Sequence, residues 1–145
     1  MASAGWQGWD DERLAPWKAR ILPNGWFFAI HEASNQIVAS AMAIHSHAPA
    51  HPFGGELGWV ASDAAHRGKG LATLVVSAVV RRLLEMGYHN LHLYTEDFRL
   101  TAIKIYLKLG FVPFLYTDAM YKRWHDICSA VDWPYTPSDW RNADD

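Results

Sequence analysis

The chain's hydrophobic and polar positions resolve into alternating helical and extended segments. Asp10 to Ile21 places Leu14, Trp17 and Ile21 at helical spacing, with Asp10 and Asp11 as caps and Pro23-Asn24-Gly25 as the stop. Trp26 to Ile30 reads as a buried strand. After the polar patch 32–36, Ile37 to His45 alternates as a second strand, making an antiparallel hairpin. His47 to Gly55 is a loop rich in proline and glycine. Glu56 to Ala61 is a third strand, with Leu57, Trp59 and Ala61 expected on one face and Gly58 hinting at a bulge.

Leu71 to Met86 carries the apolar stripe of an amphipathic helix, closed by Gly87 as a left-handed cap. Leu91 to Thr95 reads as a fourth strand. Asp97 is the expected cap of a helix in which Ala102, Ile105, Tyr106 and Leu109 share a face and which Gly110 ends. Phe111 to Leu115 is a short strand that Pro113 assigns to an edge or an end. Met120 to Val131 is a last helix, and the tail 132–145 reads as irregular, with Pro134 and Pro137. The sum is a mixed α/β chain of one domain, 1–145, with its core over 10–131.

Composition narrows the classes. The chain has 145 residues, half of them hydrophobic, with a formal net charge of -2. No strong field of either sign is present to recruit nucleic acid or an anionic membrane. The apolar runs are too short to span a bilayer, and the first residues lack the pattern of a signal peptide. The single cysteine, Cys128, excludes an intramolecular disulfide and fits a reducing compartment, so cytoplasm is the expected location. It reads as a buried, inert thiol. Eight tryptophans, seven of them toward the two ends, read as staples of the termini onto the core.

Chemistry concentrates in one turn. His66-Arg67-Gly68-Lys69-Gly70-Leu71-Ala72 joins a strand to a helix, the arrangement in which unsatisfied helix amides face an anion and glycines let it approach the backbone. A dinucleotide fingerprint requires a small residue at 73, where Thr73 stands. A P-loop requires Ser or Thr after Gly-Lys, where Gly70 stands. Two cations, Arg67 and Lys69, at a helix start oppose the helix dipole unless an anion is bound.

The pattern that fits is Arg67-x-x-Gly70-x-Ala72. With the preceding strand Leu57 to Ser62, it resembles the coenzyme A signature of the GNAT superfamily of acyl-CoA-dependent N-acyltransferases. Ala102 to Phe111, with Tyr106 four residues after Ala102 and then Gly110-Phe111, resembles that family's second signature. The resemblance runs from about Trp26 to Leu115. It implies a mostly antiparallel central sheet flanked by helices, with a splayed strand pair holding the pantetheine arm at Val60, Ala61 and Ser62. It implies a pyrophosphate held by the amides of Arg67, Gly68, Lys69, Gly70, Leu71, Ala72 and Thr73. Acetyl-CoA is then the co-substrate, and an amine, unidentified from the sequence, is the acceptor.

Tyr106 matches the tyrosine that protonates the leaving thiolate. Glu56, at the entry of the third strand, is the candidate base, acting directly or through water; Glu96 competes for that role. Arg99 stands where the family often has asparagine and alters a pantetheine contact. Ser62 and Ala64 replace the usual valine and proline, and only one clear helix precedes Trp26. No metal is implied: His45, His47 and His51 sit near one another in sequence, but no closed ligand set accompanies them. A non-catalytic acyl-CoA-binding module is the alternative. The apolar run Trp26 to Ile30 is the expected sheet edge, to be covered by the tail or by a second copy in a homodimer.

Overall fold

The computed structural model of the chain describes residues 10–142. They form two compact units, one ending at Leu93 and one beginning at Tyr94. The first contains α1 (Asp11–Lys18), β1 (Ile21–His31), β2 (Gln36–His45), β3 (Gly55–Ser62), α2 (Leu71–Glu85) and β4 (Leu91–His92). Its four-stranded sheet has the order β1-β2-β3-β4. The first two ladders are antiparallel and the third is parallel, so the sheet is mixed and mostly antiparallel, as expected.

One face of the sheet is built for close approach. Ala39, Ala41 and Ala43 alternate along β2, with Leu57 opposite Ala43, and all four are buried. Such small side chains admit α2, whose buried stripe is Val75, Val76, Val79 and Leu83. Gly55 shares this face; a Cβ there would stand 2.8 Å from Leu83 Cδ2. Each aliphatic side chain so buried is worth roughly 1.5–3 kcal/mol.

The first helix ends earlier than its spacing suggests. Lys18 is its last residue, and Ile21 already pairs with Ile44 in the sheet. The helix buries none of its residues and holds Pro16, which removes an amide, so little supports its extension. Pro23-Asn24-Gly25 therefore lies inside β1, at a register shift between Ile21 and Trp26, with Asn24 at φ +53.

The third strand departs from simple alternation. Gly58 pairs with Met42 and Ala61 with Ser40, so two residues, Trp59 and Val60, stand opposite Ala41. Trp59 takes φ +54 at this bulge. The extra residue puts Leu57 and Ala61 on opposite faces, not the same one. Gly58 has its own reason to lack a side chain: a Cβ would come within 2.4 Å of Ile44 Cδ1.

The ladder between β3 and β4 holds for two pairs, Gly55 with Leu91 and Glu56 with His92. The fourth strand is thus shorter than Leu91 to Thr95. A ladder that ends this early is what a splayed strand pair requires.

The second unit holds α3 (Leu100–Lys108), β5 (Phe114–Leu115), α4 (Ala119–Val131) and β6 (Arg141–Asn142). Ile103 and Leu107 pack against Ile127 and Val131, while Leu115, Met120, Cys128 and Trp140 form a second cluster. The buried face of α3 is Ile103, Tyr106 and Leu107; Leu109 is exposed. Asp97 does not cap α3, which begins after Arg99 without a side-chain cap. Its carboxylate instead accepts two bonds from Arg123, at 2.8 and 2.7 Å.

The described part of the tail, 132–142, is irregular only as far as Thr136. A 3₁₀ turn at Pro137–Asp139 leads into β6, which pairs in parallel with β5. Both prolines precede the paired residues, so neither removes a ladder amide. Trp140 is buried and Trp124 and Trp133 pack on the same clusters, the stapling expected of the C-terminal tryptophans. Trp6 and Trp9 lie outside the described residues.

Candidate active site

The glycine turn takes the form an anion site needs. Asp63 starts a 3₁₀ turn, Ala64–His66, accepting the Ala65 amide and pairing with His66 Nδ1 at 2.7 Å. Arg67 is extended, then Gly68 and Gly70 adopt φ +76 and +73, a left-handed conformation that glycine enters without strain. A Cβ at either position would meet nothing within 4 Å, so the backbone faces open space. Gly70 is the N-cap of α2 and brings no side chain to it.

The amides of Leu71, Ala72 and Thr73 come before the first intrahelical bond, which runs from the Leu74 amide to the Gly70 carbonyl. Arg67 and Lys69 are exposed, and neither is ion-paired to a described residue. Upstream of the turn, Val60 and Ser62 are half-buried and Ala61 is buried, at and immediately after the bulge and beyond the end of the β3–β4 ladder.

Glu56 stands within that ladder, opposite Ile44 on one side and His92 on the other. Its side chain is 14% exposed. Arg20 Nη2 lies 3.8 Å from its carboxylate and His92 Nε2 lies 4.0 Å away. Burial, then the nearby charges of His51 and Arg20, holds the His92 imidazole down to about 4, so it is neutral near pH 7. Arg20 is therefore the charged partner of Glu56. Neither Arg20 nor His92 carries a motif. Only the antiparallel return of β2 and the parallel entry of β4 bring them to Glu56.

Tyr106, Arg99 and Glu96 belong to the unit that begins at Tyr94. Tyr106 is buried on α3, edge-on to Phe111 at 6.4 Å. Burial pushes its phenol up to about 12, against a smaller opposing pull from Arg99. Arg99 bonds Glu96 at 3.1 Å within a single turn, and the Glu96 side chain is 59% exposed. Glu96 is thus more solvated than Glu56.

The three histidines near one another in sequence go to separate partners. His45 bonds the Tyr88 hydroxyl, His47 accepts the Phe53 amide, and His51 stacks on His92 at 4.1 Å. Among the described residues no group of three or more histidine, cysteine, aspartate or glutamate side chains is placed to hold a metal. Cys128 is buried, and burial pushes its thiol up from the ordinary range. Among the described residues no helix is long and apolar enough to cross a membrane.

This turn and this sheet have a counterpart in known proteins, for the model of the acetyltransferase (GNAT) family matches residues 2–111. The chain belongs to the GNAT family. Two curated relatives are mycothiol acetyltransferases. The one from Nocardia farcinica (strain IFM 10152) is 34% identical over 108 residues, covering 73% of this chain and 36% of that protein. The one from Paenarthrobacter aurescens (strain TC1) is 29% identical over 99 residues, covering 68% of this chain and 30% of that protein. The GNAT chain therefore spans about a third of the length of the curated relatives it matches.

Solved structures share the fold. The aminoglycoside N-acetyltransferase AAC(6')-Iy in complex with CoA superposes with a TM-score of 0.59 at 20% identity, over 74% of each chain. Glucosamine-6-phosphate N-acetyltransferase from Arabidopsis thaliana gives 0.55 at 21% identity, over 72% of this chain and 73% of that one.

Proposed function

We propose that this GNAT chain transfers an acetyl, or another short acyl, group from acyl-coenzyme A to a primary amine. The observation that supports this most is the open turn at Gly68 and Gly70, which presents uncapped helix amides just after two cations that have no ion pair among the described residues. Arg67, Gly68, Lys69, Gly70, Leu71, Ala72 and Thr73 hold the pyrophosphate in this reading. Val60, Ala61 and Ser62 receive the pantetheine arm along the backbone of β3, and Arg99 takes the place of the family's usual asparagine.

In the reaction the amine nitrogen bonds to the thioester carbonyl carbon and the carbon–sulfur bond breaks. Glu56 removes a proton from the attacking amine, directly or through water, and passes it to solvent; its 14% exposure leaves such a path. The departing sulfur ends with a proton. Tyr106, held at about 12 by burial, is a weaker acid than the departing thiol, so full transfer from it to the thiolate is uphill. Its role is to donate a hydrogen bond to the sulfur as charge develops there, with solvent completing the protonation.

Release of free thiol from acetyl-CoA over a panel of primary amines tests the reading. Turnover with any amine supports it. A folded protein that binds the coenzyme yet releases thiol with none is a non-catalytic acyl-CoA-binding module instead.

A further inference from the structure

The surroundings of Glu56 speak to the kind of amine. Arg20 lies at the junction of α1 and β1 and is fixed there by two bonds. Nε donates to the His45 carbonyl at 3.2 Å and Nη2 donates to Ser46 Oγ at 3.0 Å. Its guanidinium also lies over the Trp17 ring at 5.2 Å, and Trp17 is edge-on to Trp59 at 5.1 Å. These contacts hold the cation in place without using its whole fork. Nη1 donates to no described residue, and the side chain is 40% exposed. The 3.8 Å to Glu56 is too long for a hydrogen bond.

A fixed cation and a shielded carboxylate thus face each other at a distance that neither closes. The nearby imidazole, His92, is neutral near pH 7 and does not compensate Glu56.

We propose that Arg20 and Glu56 together recognise a zwitterion, so that the acceptor is an α-amino acid whose carboxylate meets the Arg20 fork and whose amine meets Glu56. This rests on the reading of Glu56 as the group that takes the amine's proton. The dimensions agree. Charge-assisted N–H···O bonds are about 2.8 Å long. An α-amino nitrogen and its own carboxylate oxygen stand roughly 2.7 Å apart, as the covalent skeleton dictates. Two such bonds and that spacing close a four-cornered ring on the 3.8 Å between Glu56 Oε2 and Arg20 Nη2, which has a second N–H besides the one it gives to Ser46. A simple amine satisfies Glu56 but leaves the spare donors of Arg20 to water. The chemistry is unchanged: the ammonium gives one proton to Glu56, which passes it to solvent, the free amine attacks, the nitrogen's second proton leaves by the same route as the amide forms, and the departing thiolate ends protonated.

The test compares each protein amino acid with its carboxamide and its decarboxylated amine. Thiol release from acetyl-CoA gives kcat/KM, and calorimetry without the coenzyme gives affinity. The expected result is a preference for at least one free amino acid over both carboxylate-less forms of roughly 10- to 100-fold, the range for a bond to a charged group. Arg20→Gln collapses that ratio toward unity, mainly through KM, and Arg20→Lys, which keeps the charge but not the fork, restores part of it.

Equal use of acid and amine by the wild-type chain overturns the inference and leaves acyl transfer standing. So does an Arg20→Gln loss that is the same for every acceptor, the signature of a merely structural arginine. Amino acid binding that Arg20→Gln abolishes, with no turnover, supports the inference while the transfer reading fails. No preference for any amino acid in either assay overturns it.

Discussion

Replacing Gly70 by aspartate separates the proposed anion site from the fold that carries it. Gly70 sits at φ +73, ψ 13, and a Cβ there meets nothing within 4 Å. Aspartate and asparagine tolerate the left-handed region better than other side chains, so either enters with less strain than they would and with the same strain as the other. The two variants have the same shape and differ by one charge. That charge lies at the N-terminus of α2, where it interacts favourably with the helix dipole by about 0.3–1 kcal/mol. Gly70→Asp is thus expected to melt at or above the temperature of Gly70→Asn.

Coenzyme binding moves the other way. At about 5 Å from a doubly charged pyrophosphate, one carboxylate costs roughly 1.7 kcal/mol in bulk-water dielectric and roughly 6.6 kcal/mol at an effective dielectric of 20. The lower figure alone is an affinity loss of about 15-fold. Calorimetric titration with coenzyme A, beside thermal melts followed by circular dichroism, reads both quantities. Weaker binding in Gly70→Asp than in Gly70→Asn, with an unchanged or higher melting temperature, is the expected pair of results. Equal affinities in two folded variants refute the electrostatic reasoning, and wild-type affinity in both means that the pyrophosphate sits elsewhere.

Three further expectations follow from other parts of the molecule. Tyr106→Phe keeps the packing against Phe111 and removes the phenol; turnover is expected to fall about 10²-fold or more with coenzyme affinity unchanged, and wild-type turnover where chemistry limits the rate returns Tyr106 to a packing role. The Arg123 guanidinium holds the Asp97 carboxyl below its ordinary 3.8. Its contribution to stability is therefore complete above the unfolded value and is lost as pH falls through the lower folded value; Arg123→Gln is expected to flatten that acid limb in denaturant melts, and an unaltered limb dismisses the pair. β1 is an edge of the four-stranded sheet and exposes Phe28 and Ile30. We propose that a second copy covers it as a two-fold dimer, which sedimentation equilibrium at micromolar concentration checks; a clean monomer sinks the idea.

The features legible in the sequence are those whose cause is local. The turn from Arg67 to Ala72 could be read because two left-handed residues demand glycine and because an uncapped helix start is set by a handful of neighbours. The stripe of α2 was equally plain, since fifteen residues repeat one period. The departures at β3, β6 and Asp97 are cases in which a partner distant in the chain outweighed local preference. The bulge at Trp59 exists in relation to β2, whose residues 39–45 run in regular alternation while β3 fits in one extra residue. β6 forms because β5 offers a parallel edge, and two paired residues carry no pattern of their own. Asp97 looks like a cap until α4 brings Arg123 to it, and a bidentate pair then takes both carboxylate oxygens. Arg20 and Glu56 show the same thing at the candidate site. They lie far apart in sequence and become neighbours through the register of β1, β2 and β3, because each antiparallel return aligns side chains that the chain order keeps apart.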